Sequence, residues 1–404
     1  SLGLVGSEMC IRDRIDGKEV EGVGLGVTSE GDVLLVMAVD GEVRWMMWTA
    51  HAWSYPETIA HRSMLCYNVN IACIGNHMYV VWRETSSWNT PGPIYFAEND
   101  GSGWTTPSRI GDEFIAARVI SMAADNTGQL HMVFYQSDGD DGEIFYSRYK
   151  SGLWETPVNL SQSSVTKSRW PRLCVSGSDV YVVWHEGLQA GNAIKMVTSP
   201  WSPSSETVRE CADRVVWDAK VDAFSNVVAV VWTERLDPSN SQTDRVFARV
   251  KINGIWADPG QMISEAGARE NYPSCALMND GRLGVIWQKT GSTTYIMFRL
   301  YDAVSQTLED VETVWQNADL AAYPALCYTH DSYFAVWKQP VDGGEKILVC
   351  RRRVDTGWKQ VYTLSRGAVS HTWNKIVSTP DGRLICCWVE KKGSEYEITF
   401  SEWK

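Results

Sequence analysis

An all-β fold, a β-propeller of four-stranded antiparallel blades, is what this 404-residue sequence predicts, and three observations predict it. An apolar run ending in a bulky anchor residue recurs eight times. A Trp-x-x-Pro segment recurs in phase with it. The apolar runs themselves are short and rich in Val, Ile, Tyr and Trp, and no 3.6-residue period persists.

The first anchor reads YVVWRE at 79–84, YVVWHE at 181–186, AVVWTE at 229–234, GVIWQK at 284–289, AVWKQ at 335–339 and CCWVE at 386–390, with HMVFYQ at 131–136 and VLLVMAVD at 33–40 as variants. Its bulky residues are Met37, Trp82, Phe134, Trp184, Trp232, Trp287, Trp337 and Trp388, spaced 45, 52, 50, 48, 55, 50 and 51 apart. That period belongs to propeller blades. The second anchor is WSYP at 53–56, WTTP at 104–107, WETP at 154–157, WSP at 201–203 and WADP at 256–259. A third opens each unit with an aromatic residue, often before Pro: WPRL at 170–173, YPSC at 272–275 and YPAL at 323–326, with Trp217 and Trp373 read at the same place.

Four strands follow in each unit. In the fourth unit they are PRLCV (a), DVYVVW (b), AIKMVTS (c) and the W-x-x-P strand (d), separated by Gly, Asn, Asp and Ser. The runs are continuous in apolar character, so both sheet faces are buried, as happens when blade stacks on blade. Eight blades are expected, at about 15–62, 63–114, 115–165, 166–213, 214–267, 268–318, 319–367 and 368–404, all in one domain. Met37 makes the first unit the weakest; without it the count is seven.

Residues 1–14, SLGLVGSEMCIRDR, stand outside the repeat. They resemble a translated sequencing adapter, with Leu4 to Asp13 matching letter for letter, which implies an environmental DNA assembly as the source and a replaced native N-terminus. The last unit then lacks the N-terminal strand that closes many propellers. It is expected to show three strands and a bare edge.

With 37 Lys and Arg against 49 Asp and Glu, the net charge is −12, which argues against nucleic acid or an anionic membrane as partner. No stretch of 18 apolar residues provides a membrane-spanning helix. Without Cys10, nine cysteines remain; Cys66, Cys73, Cys174, Cys275, Cys327, Cys386 and Cys387 lie in apolar runs and none forms a C-x-x-C pair. They read as free buried thiols, which favours a reducing compartment. The loop SDGDDGE at 137–143 is rich in oxygen but too short for an EF-hand, and reads as a solvated hairpin tip. Neither a metal nor a cofactor is expected.

The repeat resembles the sialidase-type propellers with BNR-like repeats, whose units run YP-x-I, G-x-VHVVW, I-x-Y and DG-x-W-x-x-P, and the resemblance covers nearly all of residues 15–404. An intact Asp-box is absent; ENDGSGW at 98–104 and DTGW at 355–358 are its nearest echoes. The resemblance implies a secreted or periplasmic protein, against the inference from the thiols, and leaves the compartment open. It also implies three arginines clamping a carboxylate, for which Arg118, Arg169 and Arg269 are candidates. No Tyr–Glu nucleophile pair can be chosen, so sialidase catalysis is not expected. Polysaccharide lyases on similar propellers pair a His or Tyr with Arg; His185, beside Glu186, and Arg83 fit those types.

In such a fold the loops joining d to a and b to c share one face, so the aromatic opening strand a and the polar pair closing strand b converge there. The expected ligand residues are Arg83, Glu84, Trp170, His185, Glu186, Trp217, Glu234, Tyr272, Tyr323 and Trp373. Aromatic faces stack on sugars while carboxylates and amides bond hydroxyls, so a glycan or oligosaccharide is the expected partner of a monomeric chain. Recurrent Glu after the Trp anchor suggests an acidic mouth that prefers neutral or partly cationic sugars. Two function classes stay open: a carbohydrate-directed propeller that binds or processes glycan, as a glycoside hydrolase or polysaccharide lyase if an enzyme, and a non-catalytic protein-interaction scaffold.

Overall fold

A computed structural model describes residues 13–15, 20–49, 52–111, 117–138, 141–163, 166–188, 191–201, 204–257, 259–317, 322–329, 331–341, 344–353, 357–364, 370–392 and 395–403. Among them the strands form eight antiparallel sheets, each of four main strands; these are the blades of a β-propeller. The chain divides into two compact units. Unit 1 holds residues 1–140, 145–158 and 369–404, and unit 2 holds 141–144 and 159–368.

Blade 1 runs Val20–Val27, Val33–Val39, Glu42–Thr49 and a split outer strand, Ala52–Trp53 with Glu57–His61. The first unit is thus a blade despite Met37, which is fully buried like the tryptophans elsewhere. Blade 4 shows the plan in unit 2: a Lys167–Ser176, b Asp179–Leu188, c Gly191–Thr198 and d Glu206–Cys211. Each b strand is buried on both faces because its two faces pack against different sheets. All seven residues of Val33–Val39 are buried, and so are Val227 through Glu234 of Val227–Arg235, strand b of blade 5. The anchors Trp82, Trp184, Trp232, Trp287, Trp337 and Trp388 sit in this interior, with Phe134 in the same role. Trp232, for example, packs with Val183, Ile194 and Met196 of blade 4. Blade 6 makes room by deletion: at Gly284 an added Cβ would lie 2.5 Å from the ring of Tyr333 in blade 7.

Strand a departs from a plain ladder in every blade. A β-bulge interrupts its pairing with strand b between Tyr67 and Asn70, Ala117 and Val119, Arg169 and Arg172, Trp217 and Lys220, Asn271 and Ser274, Ala322 and Ala325, and Thr372 and Lys375. Blade 1 has the same break between Val20 and Gly22. A bulge bends the strand and re-aims the side chains beside it.

The expectation of a three-stranded last blade is corrected. Asp13–Ile15 pairs antiparallel with Glu395–Trp403, Arg14 lying opposite Glu397, and makes blade 8 four-stranded. Pairing of this kind is carried by backbone N–H and C=O groups, so an open sheet edge accepts any extended segment within reach. Residues 1–12 lie outside the described residues.

Two histidines, His131 buried and His185 half-buried, set an acid limit on this fold. His131 in blade 3 has Nδ1 2.7 Å from the Tyr146 hydroxyl and Nε2 3.1 Å from Asp125 Oδ2. Burial pushes its imidazole below 6.5; Asp125 pulls it up without winning. His185 is likewise lowered, first by burial, with Asn192 opposing and Arg169 assisting. A histidine held neutral by the fold contributes fully above the unfolded value of about 6.5 and loses its contribution below it, because only the unfolded chain takes up the proton readily. Melting temperature is therefore expected to fall as pH drops below about 6.5. Thermal melts across that range check it, and a rise on acidification would contradict it.

Candidate functional site

The polar pair that follows each anchor splits between the two faces of strand b, since side chains alternate along a strand. The second residue shares the face of the Trp. Trp82 Nε1 donates to Glu84 Oε1 at 3.2 Å, and Arg62 pairs with the same carboxylate. Trp184 Nε1 donates to Glu186 Oε2 at 3.3 Å, with Ser168 Oγ at 3.5 Å. Glu234 is fully buried and accepts from Arg209 Nε and Nη2, both at 2.8 Å, and from Arg214 Nη1 at 2.7 Å. Burial works to raise the Glu234 carboxyl, but Arg209 and Arg214 outweigh it and hold the group below its ordinary value. These glutamates serve the interior. The acidic mouth read from the sequence is replaced by carboxylates turned inward onto indole and guanidinium groups.

The first residue of the pair faces the other way. In blade 2 it is Arg83, at the end of His77–Thr85 and 1% exposed. Its Nη2 donates to the Trp88 carbonyl at 2.7 Å. Its Nε and Nη1 are buried with no hydrogen-bond partner among the described residues. The guanidinium carbon lies 5.6 Å from the centre of the Tyr67 ring. Arg118, the bulge residue of Ala117–Ala124 in blade 3, also buries an Nε without a partner among the described residues, as Gln136 does its Oε1. Burial pushes the Arg83 guanidinium down to about 10, Arg118 adds to that, and Tyr67 and Tyr135 oppose it. No carboxylate acts on it among the described residues. A buried cation with unspent donors costs several kcal/mol unless an anion meets it.

Unit 2 sorts charge in another way. Arg235 Nε donates to Asp244 Oδ1 at 2.7 Å and Arg269 Nε to Asp244 Oδ2 at 2.9 Å. The acid is 0% exposed while the arginine side chains are 25% and 35% exposed, so solvent meets the bases. Trp217 lies under Arg235, its ring centre 5.2 Å from the guanidinium carbon. His185 faces Arg169 across the a–b ladder, with Nε2 3.1 Å from Asn192 Oδ1.

The bulges carry the aromatic residues. Trp170, Tyr272 and Tyr323 have φ of 56°, 55° and 55°, the left-handed region, which costs an L-residue about 1–2 kcal/mol. The Tyr272 and Tyr323 rings are 4.7 Å apart at 54°. The corresponding position of blade 5 is Asp218, also left-handed, and Trp217 precedes it. The alignment of Trp217 with the other aromatic openers is therefore one residue out: a Pro marks the position in blades 4, 6 and 7 but not in blade 5. Trp373 lies in Ser370–Ser378 of unit 1, its side chain outside the described residues.

The structure thus brings together Tyr272 and Tyr323, and places Trp170 one residue after Arg169, which pairs across the ladder with His185. Arg83 gathers Arg118, Tyr67 and Tyr135 around it. Tyr67 and Asp244 escaped the sequence reading. The position before each bulge was the available signal for Tyr67, and the ladder pairing of Asp244 with Arg235 the one for Asp244. Among the described residues no group of three or more His, Cys, Asp or Glu side chains is placed to hold a metal ion, and no helix is long and apolar enough to cross a membrane.

Comparison with protein-family models and with curated proteins gives no match. Solved structures do match. Polysaccharide lyase Uly1 is similar over 98% of this chain and 99% of its own, at 10% identity and a TM-score of 0.57. A PL25 ulvan lyase bound to -[GlcA(1-4)Rha3S]- is similar over 90% and 96%, at 7% identity and a TM-score of 0.54. The GH93 α-L-arabinofuranosidase of Fusarium graminearum, in complex with arabinobiose, is similar over 70% and 91%, at 11% identity and a TM-score of 0.44. The likeness to the two lyases is one of fold.

Proposed function

We propose that this chain acts on an acidic polysaccharide, holding a uronate carboxylate at Arg83 and Arg118 and cleaving the chain by elimination. The observation that carries the reading is Arg83: a guanidinium 1% exposed, with Nε and Nη1 unspent among the described residues. Nε–H and the Nη1–H groups lie on different sides of the guanidinium, and a carboxylate oxygen reaching either one receives a charge-assisted hydrogen bond. The sialidase-type resemblance enters here only for its carboxylate-clamping arginines. Both lyases of like fold support the reading, one of them bound to a glycan that contains GlcA, a sugar with a carboxylate.

Binding the carboxylate to a cation acidifies the proton on the carbon beside it. Tyr67 or Tyr135, both within electrostatic reach of Arg83, takes that proton as the phenolate. The electron pair of the broken C–H bond forms a carbon–carbon double bond, the bond from the β-carbon to the glycosidic oxygen breaks, and the phenol so formed passes its proton to that oxygen as it leaves. General base catalysis of this kind contributes about 10²–10⁴-fold.

Arg83→Lys, Tyr67→Phe and Tyr135→Phe test it, with polygalacturonate and ulvan as substrates and the ultraviolet absorbance of the unsaturated product as readout. Arg83→Lys is expected to lose both binding and turnover. Loss of one phenol should leave binding and reduce turnover by about a hundredfold or more. Full turnover in Arg83→Lys, or equal turnover in both phenylalanine variants and the wild type, would overturn the reading.

A further inference from the structure

Three blades of unit 2 hold a large aromatic residue where the backbone is left-handed: Trp170, Tyr272 and Tyr323. The same position holds Asn68 in blade 2 and Asp218 in blade 5, residue types that tolerate it. The bulge therefore does not call for an aromatic ring. Nor does packing, since Trp170 is 53% and Tyr323 49% exposed. Strain kept where neither backbone nor core needs it points to a ligand.

The surroundings of two of these rings indicate which ligand. Arg235 lies over Trp217 and shares buried Asp244 with Arg269. Arg269 acts electrostatically on Tyr272, which meets Tyr323, and Lys338 Nζ lies 5.3 Å from the centre of the Tyr323 ring. Trp217, Arg235, Arg269, Tyr272, Tyr323 and Lys338 thus form one row across blades 5 to 7, with ring faces and cations side by side. Two acids lie in or beside the row: Asp244 is withdrawn from solvent beneath Arg235 and Arg269, and Asp218, which acts on Tyr272, is paired with Lys220.

We propose that this row is a polymer-binding surface for an acidic polysaccharide, made of residues other than Arg83 and those around it. It rests on the reading of the ligand as an acidic glycan and assigns a second set of contacts for it. The rings take the C–H faces of successive sugars, and the cations take the carboxylate or sulfate groups between them.

Affinity electrophoresis of the full chain through gels containing polygalacturonate or ulvan tests the proposal. Asn tolerates the left-handed conformation, so the double variant Tyr272→Asn/Tyr323→Asn is expected to melt at or above the wild-type temperature. It is expected to lose about tenfold in affinity for both polymers, the equivalent of ~1.4 kcal/mol. Unchanged retention of that folded variant overturns the proposal. Arg83→Lys in the same gels separates the two readings. Retention lost in the double variant and kept in Arg83→Lys supports the row and removes the Arg83 reading. The reverse pattern supports the Arg83 reading and removes the row. A wild-type chain retained by neither polymer overturns both.

Discussion

Replacing Arg83 by Met is expected to make the protein more stable and to weaken its hold on acidic glycans. Both effects come from one fact. The Arg83 guanidinium is desolvated, depressed to about 10, and meets no acid among the described residues. Exchanging a buried charge for an apolar side chain of similar length is worth about 1–4 kcal/mol where the charge is poorly compensated. The Trp88 carbonyl, which accepts from Nη2, loses a donor and gives back ~1 kcal/mol. The net expectation is a rise in melting midpoint, read by calorimetry. Loss of a charge-assisted hydrogen bond to the carboxylate should weaken uronate binding by about 10–100-fold. A variant that melts lower than the wild type would show that the fold itself uses the charge.

The second large effect separates two tryptophans of one blade. Trp232→Ala is expected to cost about 3–5 kcal/mol, because a fully buried indole leaves a cavity its neighbours cannot fill. Gly260 approaches that indole so closely that a Cβ there would lie 3.3 Å from it. Trp217→Ala is expected to cost only ~1 kcal/mol, since the indole is half-buried and covered on one face by Arg235. Its effect should appear in glycan affinity. Denaturant unfolding of the two variants checks the contrast, and equal losses would make Trp217 part of the core.

Much of the fold was legible because the repeat carries its own phase. Trp82, Trp184, Trp232, Trp287, Trp337 and Trp388 end runs buried on both faces, and even Met37 kept the register of its blade. The site was less legible, for reasons that can be named. Glu84 and Glu186 looked like rim residues because they follow an apolar run, yet a period of two places each on the face of the Trp two positions earlier, where it accepts the indole N–H. A buried donor needs such a partner, so recurrence of W-x-E was a packing rule. Trp217 looked equivalent to Trp170, but only the backbone shows that Asp218 occupies the bulge. The association of Arg83 with Arg118 joins different blades, and no local pattern encodes which side chains meet across that packing. Net charge misled as well: Glu234 and Asp244 count toward −12 but are buried beneath arginines that remain partly exposed.

The most direct measurement is a crystal structure of the wild-type chain with a uronate oligosaccharide bound. The carboxylate is expected to lie within hydrogen-bonding distance of Arg83 Nε or Nη1, with Arg118 on its other side and Tyr67 or Tyr135 facing the carbon beside it. A sugar ordered elsewhere in unit 1, or Arg83 Nε and Nη1 found paired with protein groups while the ligand is bound, would contradict it.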